Sequence, residues 1–437
     1  MRRALFSAAV VAALGCGALF FLRAHHANLA PPASAPAVVT QARPLAPPPP
    51  AGPPLVGIDL AHIAVGDDGA TAPAALHRVA RLTLDAELQR AAAHLMSIHH
   101  VPEAAMVLVD VATGRVLAYA SHLEHGESRD LCAEATAPSA SVFKIVTGAA
   151  LIEDAGLSPD TRQCYSGGEQ KILPSDLEDD ERRDRWCTTL AGAMGHSTNA
   201  VFARLALRDL KPAVLEAMAQ RFGFDEPVPF DVAVQASTLH LPADDLGFAR
   251  TAAGFWNSTL SPLEAAWMSA TVARGGDAPR LSIVSEVVGD RGGVLYSGPE
   301  PSSVRRVIQR DTAQALTKMM EVTVAEGTSF RAFHDARGTS FLPGISVAGK
   351  TGTLTGAQEH RFYTWFTGFA PSRPVSGELA KVPQVAVAVL VVNEPTWHVK
   401  ANVLARELLR EYFARENLPG VTAPSQRPPA SAIARRE

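Results

Sequence analysis

Ala137-Pro138-Ser139-Ala140-Ser141-Val142-Phe143-Lys144-Ile145-Val146 is the stretch on which the reading of this chain turns. Within it, Ser141-Val142-Phe143-Lys144 spaces a hydroxyl and an amine three residues apart. At the start of a helix that spacing puts both on one face. A serine hydroxyl is a weak nucleophile and needs an adjacent base. A lysine serves as that base only when burial or a neighbouring cation lowers its pKa. The next apolar run, Ile145 to Ile152, reads as a buried helix and supplies such an environment. The plainer reading is a helix N-terminus with a capping serine. Ser139, five residues before Lys144 and off its face, is the better cap candidate. A lone Ser-x-x-Lys does not separate these readings, so the rest of the chain must.

The chain has 437 residues, is 47% hydrophobic and 19% charged, and is long enough for one large domain or two. Its net charge of -4 argues against nucleic acid as a partner. Its cysteines and fourteen histidines show no zinc-like spacing, so neither a metal nor a cofactor is expected.

At the N-terminus, Arg2 and Arg3 precede about 19 largely apolar residues ending at Leu22, enough to span a bilayer. A cleaved signal peptide and a lipoprotein modified at Cys16 are the competing readings. The absence of a small-x-small site after Leu22 and the apolar sequence continuing past Cys16 favour an uncleaved anchor over residues 1–22. Each reading exports the rest of the chain. Residues 23–80 begin with an Ala/Pro-rich run including Pro47-Pro48-Pro49-Pro50 and read as an extended tether, with Leu55 to Ala80 open to being an edge element of the next domain. At about 3.1 Å per residue, thirty such residues reach on the order of 90 Å. A single folded domain is expected over residues 81–417 and a disordered, Pro-rich tail over 418–437.

Inside that domain, Arg81 to Asp85 reads as a strand entering a helix capped by Asp85. Ala105–Val111 and Arg115–Ala120 flank an Ala112-Thr113-Gly114 turn as a buried hairpin. Asp160 to Trp186 is loop-like, and its charged run from Asp176 to Arg185 reads as solvated surface. Leu190 to Leu207 is helical but interrupted around Ser197-Thr198-Asn199. Helices are expected at Lys211–Phe222, Leu263–Ala273, Asp311–Val324 and Val399–Ala414. Strands are expected at Ile283–Val288, Val294–Ser297, Ser346–Thr353, Phe362–Phe369 and Val385–Val392. Strands at both ends with helices between them predict an α+β fold. Of the exported cysteines, Cys164 and Cys187 close the loop between them as one disulfide, and Cys132 stays free and buried.

Three short patterns then occur in order: Ser141-x-x-Lys144, Ser197-Thr198-Asn199 and Lys350-Thr351-Gly352. Singly, each is as well explained by caps, an edge lysine and a turn. Together, on a helix, an interhelical loop and a strand, they resemble the penicillin-binding protein transpeptidases and their serine β-lactamase relatives. The runs Leu82 to Arg90, Ser261-Pro262-Leu263-Glu264, Glu326-Gly327-Thr328 and Trp365 to Pro371 fall where that family carries similar ones, so the resemblance covers Arg81 to Tyr412. It implies the penicillin-binding/β-lactamase-like fold, an antiparallel sheet flanked by helices with an inserted helical subdomain.

The resemblance also implies a chemistry. Ser141 would attack a D-Ala-D-Ala bond of a peptidoglycan stem peptide while Lys144 takes its proton. Ser197 would relay a proton to the leaving amine, and Asn199 would bind the substrate amide and Lys144. Lys350 would add positive potential and depress the pKa of Lys144. Thr351 and Thr353 would hold the donor's carboxylate, Gly352 would leave room for the substrate, and the backbone N–H groups of Ser141 and Thr353 would form the oxyanion hole. The reading is thus a D,D-transpeptidase acylated by β-lactams, single-pass in the cytoplasmic membrane, working beside a glycan polymerase or a division or elongation complex. A D,D-carboxypeptidase, a class D-like β-lactamase and a β-lactam sensor or scaffold are the alternatives. Asn199, where class D enzymes carry an apolar residue, argues against that class.

Overall fold

The run Val385-Ala386-Val387-Ala388-Val389-Leu390-Val391-Val392-Asn393 is buried at every position. A strand that is apolar on both faces must sit inside a sheet covered on both sides. In the computed structural model it is the middle strand of five, and the model describes residues 53–356, 361–377, 380, 382, 384–415 and 421–423. From one edge, the order is Ala348–Thr355, Phe362–Ala370, Val385–Asn393, Glu103–Asp110 and Val116–Leu123, and every neighbouring pair is antiparallel. Thus the expected strands at the two ends of the domain meet in one sheet.

Alternation along these strands divides the core in two. Ala105, Val107, Val109, Ala386 and Ala388 face one layer. Met106, Leu108, Val387 and Val389 face the other. The second layer is closed by the Ala86–Ile98 helix and the C-terminal helix Ala401–Arg415, through Leu88, Leu95, Leu404 and Leu408. As expected, Asp85 caps the first of these, its carboxylate accepting from the backbone N–H groups of Glu87 and Leu88 at 3.0 Å. The first layer is closed by the Pro262–Ala273 helix and by the helices Lys144–Glu153, Leu190–His196, Asn199–Asp209 and Arg310–Ala325, which hold or adjoin the first two motifs.

Two expectations are corrected. The boundary between tether and domain lies well before residue 80. Strands Ala64–Gly66, Gly69–Ala74 and Arg78–Leu82 join Val284–Val288 and Val294–Ser297 in a second five-stranded sheet. Ala70, Ala72, Ala80 and Leu82 are buried there, so small alternating apolar residues make this segment part of the core. The Asp160–Trp186 stretch is not a plain loop either, because Arg162–Tyr165 pairs with Trp186–Thr189. Cys164 and Cys187 face each other in that ribbon and are bonded, closing 23 residues. A loop of that size contributes roughly 3 kcal/mol in the chain-entropy account. Cys132 is free and buried. The expected anchor, the tether up to residue 52 and most of the tail lie outside the described residues. Among the described residues no helix is long and apolar enough to cross a membrane.

One buried acid in the Pro262–Ala273 helix sets a pH dependence. Glu264 is fully buried, and desolvation pushes its carboxyl up to about 8, against opposition from Ser237 and Arg305. The folded chain therefore keeps a proton that the unfolded chain releases near the ordinary value of 4.5. Stability falls as pH rises from about 4.5 to 8 and levels off above, by up to on the order of 4 kcal/mol. Glu264→Gln, which has nothing to ionise, is expected to melt with the parent at pH 5 and well above it at pH 8.5. Parallel melting curves across that range would refute this account.

Candidate active site

Ser141 sits in a single 3-10 turn, Ala140–Phe143, that runs directly into the Lys144–Glu153 helix. In a 3-10 turn, residues i and i+3 eclipse each other, which brings the lysine over the serine more directly than an α-helical start would. Lys144 Nζ lies 2.8 Å from Ser141 Oγ. The turn begins with Ala140 at φ +48°, and it packs against Gly254, where a Cβ would come within 2.4 Å of the Ala140 carbonyl oxygen. Ser139 holds the N-cap position, but its hydroxyl makes no capping bond. It is buried and shares a 2.5 Å hydrogen bond with Ser258.

Lys144 is fully buried and makes two further hydrogen bonds, to Asn199 Oδ1 at 2.7 Å and to the Ala253 carbonyl at 2.6 Å. Neither acceptor can donate. A neutral amine has two N–H bonds and one lone pair. Charged, Lys144 donates to Ser141 Oγ as well; in the neutral form the two acceptors take both N–H bonds and the lone pair is left for Ser141 Oγ. Burial holds the Lys144 pKa well below its ordinary value, and the positive charge of Lys350 lowers it further. Lys350 is itself buried, and desolvation brings it down to about 7. Its Nζ donates to Ser197 Oγ at 3.0 Å and to the Thr351 carbonyl at 2.8 Å.

Each motif is positioned by its local backbone. Ser197 ends its helix in the left-handed region, at φ +58°, so Asn199 can open the next one. The Glu326-Gly327-Thr328 turn docks on this loop through Thr328 N–H to the Gly195 carbonyl, 3.0 Å. Thr328 Oγ1 meets Thr351 Oγ1 at 2.6 Å. Lys350, Thr351, Gly352 and Thr353 lie on the edge strand of the sheet. A Cβ at Gly352 would come within 3.1 Å of Ala140 Cβ and 3.2 Å of Trp365 Cβ, so this glycine also lets the strand approach the turn that carries Ser141. The Trp365 indole donates to the Pro138 carbonyl at 2.9 Å and holds the turn from below.

Ser141, Ser197, Asn199, Thr351, Gly352 and Thr353 open on one cavity of about 350 Å³. A larger one, about 700 Å³ around Trp256 and His240, carries none of the motif side chains. The motif side chains line the smaller. Its walls also include Glu169, Thr328, Lys400 and Asn402. Of these only Thr328 lay in a run singled out in the sequence. Glu169, Lys400 and Asn402 stand in aperiodic sequence or at a helix start and carry no motif of their own.

The charged run Asp176–Arg185 is not wholly solvated. Asp184 is buried against Arg204, which also donates to the carbonyls of Asp176 and Cys164. The Arg204 guanidinium holds the Asp184 carboxyl down to about 2. Because Arg204 lies on the helix opened by Asn199, this pair ties the disulfide ribbon to the second motif. Among the described residues, no three His, Cys, Asp or Glu side chains gather as a metal site.

Comparison with known proteins agrees with this arrangement. The family model for the penicillin binding protein transpeptidase domain matches residues 104–409. A peptidoglycan D,D-transpeptidase PbpA of Mycolicibacterium smegmatis is 30% identical over 269 residues, 59% of this chain and 50% of the relative. Stage V sporulation protein D of Bacillus subtilis is 26% identical over 253 residues, 56% of this chain and 38% of the relative. The chain thus spans about half the length, or less, of these curated relatives. Among solved structures, the D,D-transpeptidase domain of a peptidoglycan glycosyltransferase from Eggerthella lenta superposes with a TM-score of 0.62 at 25% identity, covering 76% of this chain and 82% of that one. PBPA from Mycobacterium tuberculosis gives the same TM-score, 0.62, at 23% identity, covering 76% and 80%, and so shares the fold. With an antiparallel sheet bearing the third motif, helices bearing the other two and a family model that covers most of its length, the chain belongs to the penicillin binding protein transpeptidase domain family.

Proposed function

We propose that this chain is a peptidoglycan D,D-transpeptidase working through a serine acyl-enzyme and acylated covalently by β-lactams. The observation that carries the proposal is the buried Lys144 amine, held by Asn199 Oδ1 and the Ala253 carbonyl with its Nζ 2.8 Å from Ser141 Oγ. Ser141 Oγ attacks the carbonyl carbon of the D-Ala-D-Ala bond, and its proton passes to Lys144. Negative charge on the carbonyl oxygen is met by the backbone N–H groups of Ser141 and Thr353. Ser197, bonded to Lys350, delivers a proton to the departing amine of D-alanine. Thr351 and Thr353 bind its carboxylate, and Lys350 adds attraction. An acceptor amine from a second stem peptide then attacks the ester, so that Ser141 is freed and the peptides are joined. None of these steps calls on a cofactor.

Residues 1–22 anchor the chain in the cytoplasmic membrane and export the rest of it. The Cys164–Cys187 bond suits that oxidising compartment. A glycan polymerase or a division or elongation complex supplies the strands to be joined.

The test combines a fluorescent penicillin with donor and acceptor stem peptides. A covalent label that persists for many minutes and a cross-linked peptide product are expected. Rapid turnover of the antibiotic would identify a β-lactamase, and trimmed donor without cross-links a carboxypeptidase. A label with no peptide product would identify a sensor, and no label at all would end the acyl-enzyme reading.

A further inference from the structure

The cavity wall includes an exposed acidic residue, Glu169, that the steps above leave unused. Glu169 lines the cavity together with Ser141. Its backbone is held in place: its carbonyl accepts from Asn199 Nδ2 at 2.6 Å. Gly168 beside it adopts φ +76°, and a Cβ there would come within 2.8 Å of Ala200 Cβ. Three residues on, the Ile172 carbonyl accepts from Arg250 at 2.6 Å. Among the described residues the Glu169 carboxylate has no hydrogen-bond or ion-pair partner. Asn199 touches both the Glu169 backbone and the catalytic amine, since its Oδ1 is 2.7 Å from Lys144 Nζ. The remaining charged side chain on the cavity wall is Lys400.

We infer that Glu169 receives the cationic amine of the acyl acceptor and so directs the acyl group to an ammonium-bearing nucleophile rather than to water or a neutral alcohol; this rests on the acyl-transfer reading above. An alkyl amine with a pKa near 10 enters as ammonium. Glu169 is exposed on the cavity wall, and its unpaired carboxylate attracts that ammonium through partly screening solvent. One proton leaves the ammonium to solvent by way of Glu169. The free amine attacks the ester carbon, forming the C–N bond. Its second proton passes through Lys144 to Ser141 Oγ as the C–O bond breaks. The balance is one ammonium and one ester giving one amide, one serine hydroxyl and one released proton. Glu169 is thereby a positioning residue for the second half of the reaction.

The test forms the acyl-enzyme from a thioester donor and measures how it partitions between transfer and hydrolysis, with D-alanine as the cationic acceptor and methanol as the neutral one. Glu169→Gln is expected to lower the ratio of transfer to hydrolysis for D-alanine at least tenfold and to alter that for methanol less than twofold. Glu169→Asp is expected to recover part of the loss. An equal fall for both acceptors would overturn the inference and leave Glu169 as a support for Asn199, and no fall for D-alanine would overturn it outright. If the parent forms no acyl-enzyme with the thioester, the acyl-transfer reading fails instead, which is a separate result.

Discussion

Ser141→Ala should take up no fluorescent penicillin, while Ser139→Ala, two residues away, should label at close to the parent's rate. The two hydroxyls differ in what they touch. Ser141 Oγ faces a buried amine at 2.8 Å and opens on the cavity. Ser139 Oγ is sealed in the core against Ser258. Removing Ser139's hydroxyl strands one partner and costs on the order of 1 kcal/mol of stability, with no reason for acylation to stop. Removing Ser141's hydroxyl deletes the atom to which the antibiotic is bonded in this scheme. Gel fluorescence and intact mass decide it, with unchanged melting of Ser141→Ala and a small drop for Ser139→Ala showing that both variants fold. A label surviving in Ser141→Ala would move the nucleophile elsewhere and dismantle the assignment.

How much of this was legible beforehand varied with the physics of each segment. The strand Val385–Asn393 and the hairpin around Gly114 were readable because long β-branched apolar runs have few other uses. The motif residues were readable because their order carries information that each lacks alone. The second sheet was not, since Gly69–Ala74 and Arg78–Leu82 are short, rich in alanine and close behind proline-rich sequence. Arg78–Leu82 pairs with Val284–Val288, some two hundred residues later, and Gly69–Ala74 joins the sheet through Arg78–Leu82. The same distance problem hid Asp184. In the sequence it is one acid among many, and only its meeting with Arg204 separates it from a solvated run. Glu169, Lys400 and Asn402 were missed because a cavity wall assembled from a ribbon and a helix start leaves no local pattern. The candidate site was thus legible in its three triplets, and the rest of its cavity wall only through the fold.

Lys144→Met should lower the rate of acylation by penicillin on the order of 10³-fold, within the range typical of a lost general base. Methionine keeps an unbranched apolar chain of similar length, so the site should stay packed while the proton acceptor disappears. The parent's pH profile tests the same claim without a mutation. Lysine at its ordinary value of 10.5 would be almost wholly protonated at pH 7 and useless as a base. Burial and Lys350 both oppose the charged form here, so the neutral amine persists to much lower pH. Acylation should therefore hold its plateau to well below pH 10.5 and fall on further acidification as Lys144 is protonated. In Lys144→Met that acidic limb should vanish along with the rate. The two hydrogen bonds to Asn199 and Ala253 explain why depression of the pKa does not cost the geometry. They hold the amine whether it is charged or neutral, and only the direction of the bond to Ser141 reverses. A parent profile that rises steeply only above pH 9, or a Lys144→Met variant that acylates at near the parent's rate, would show that the base lies elsewhere.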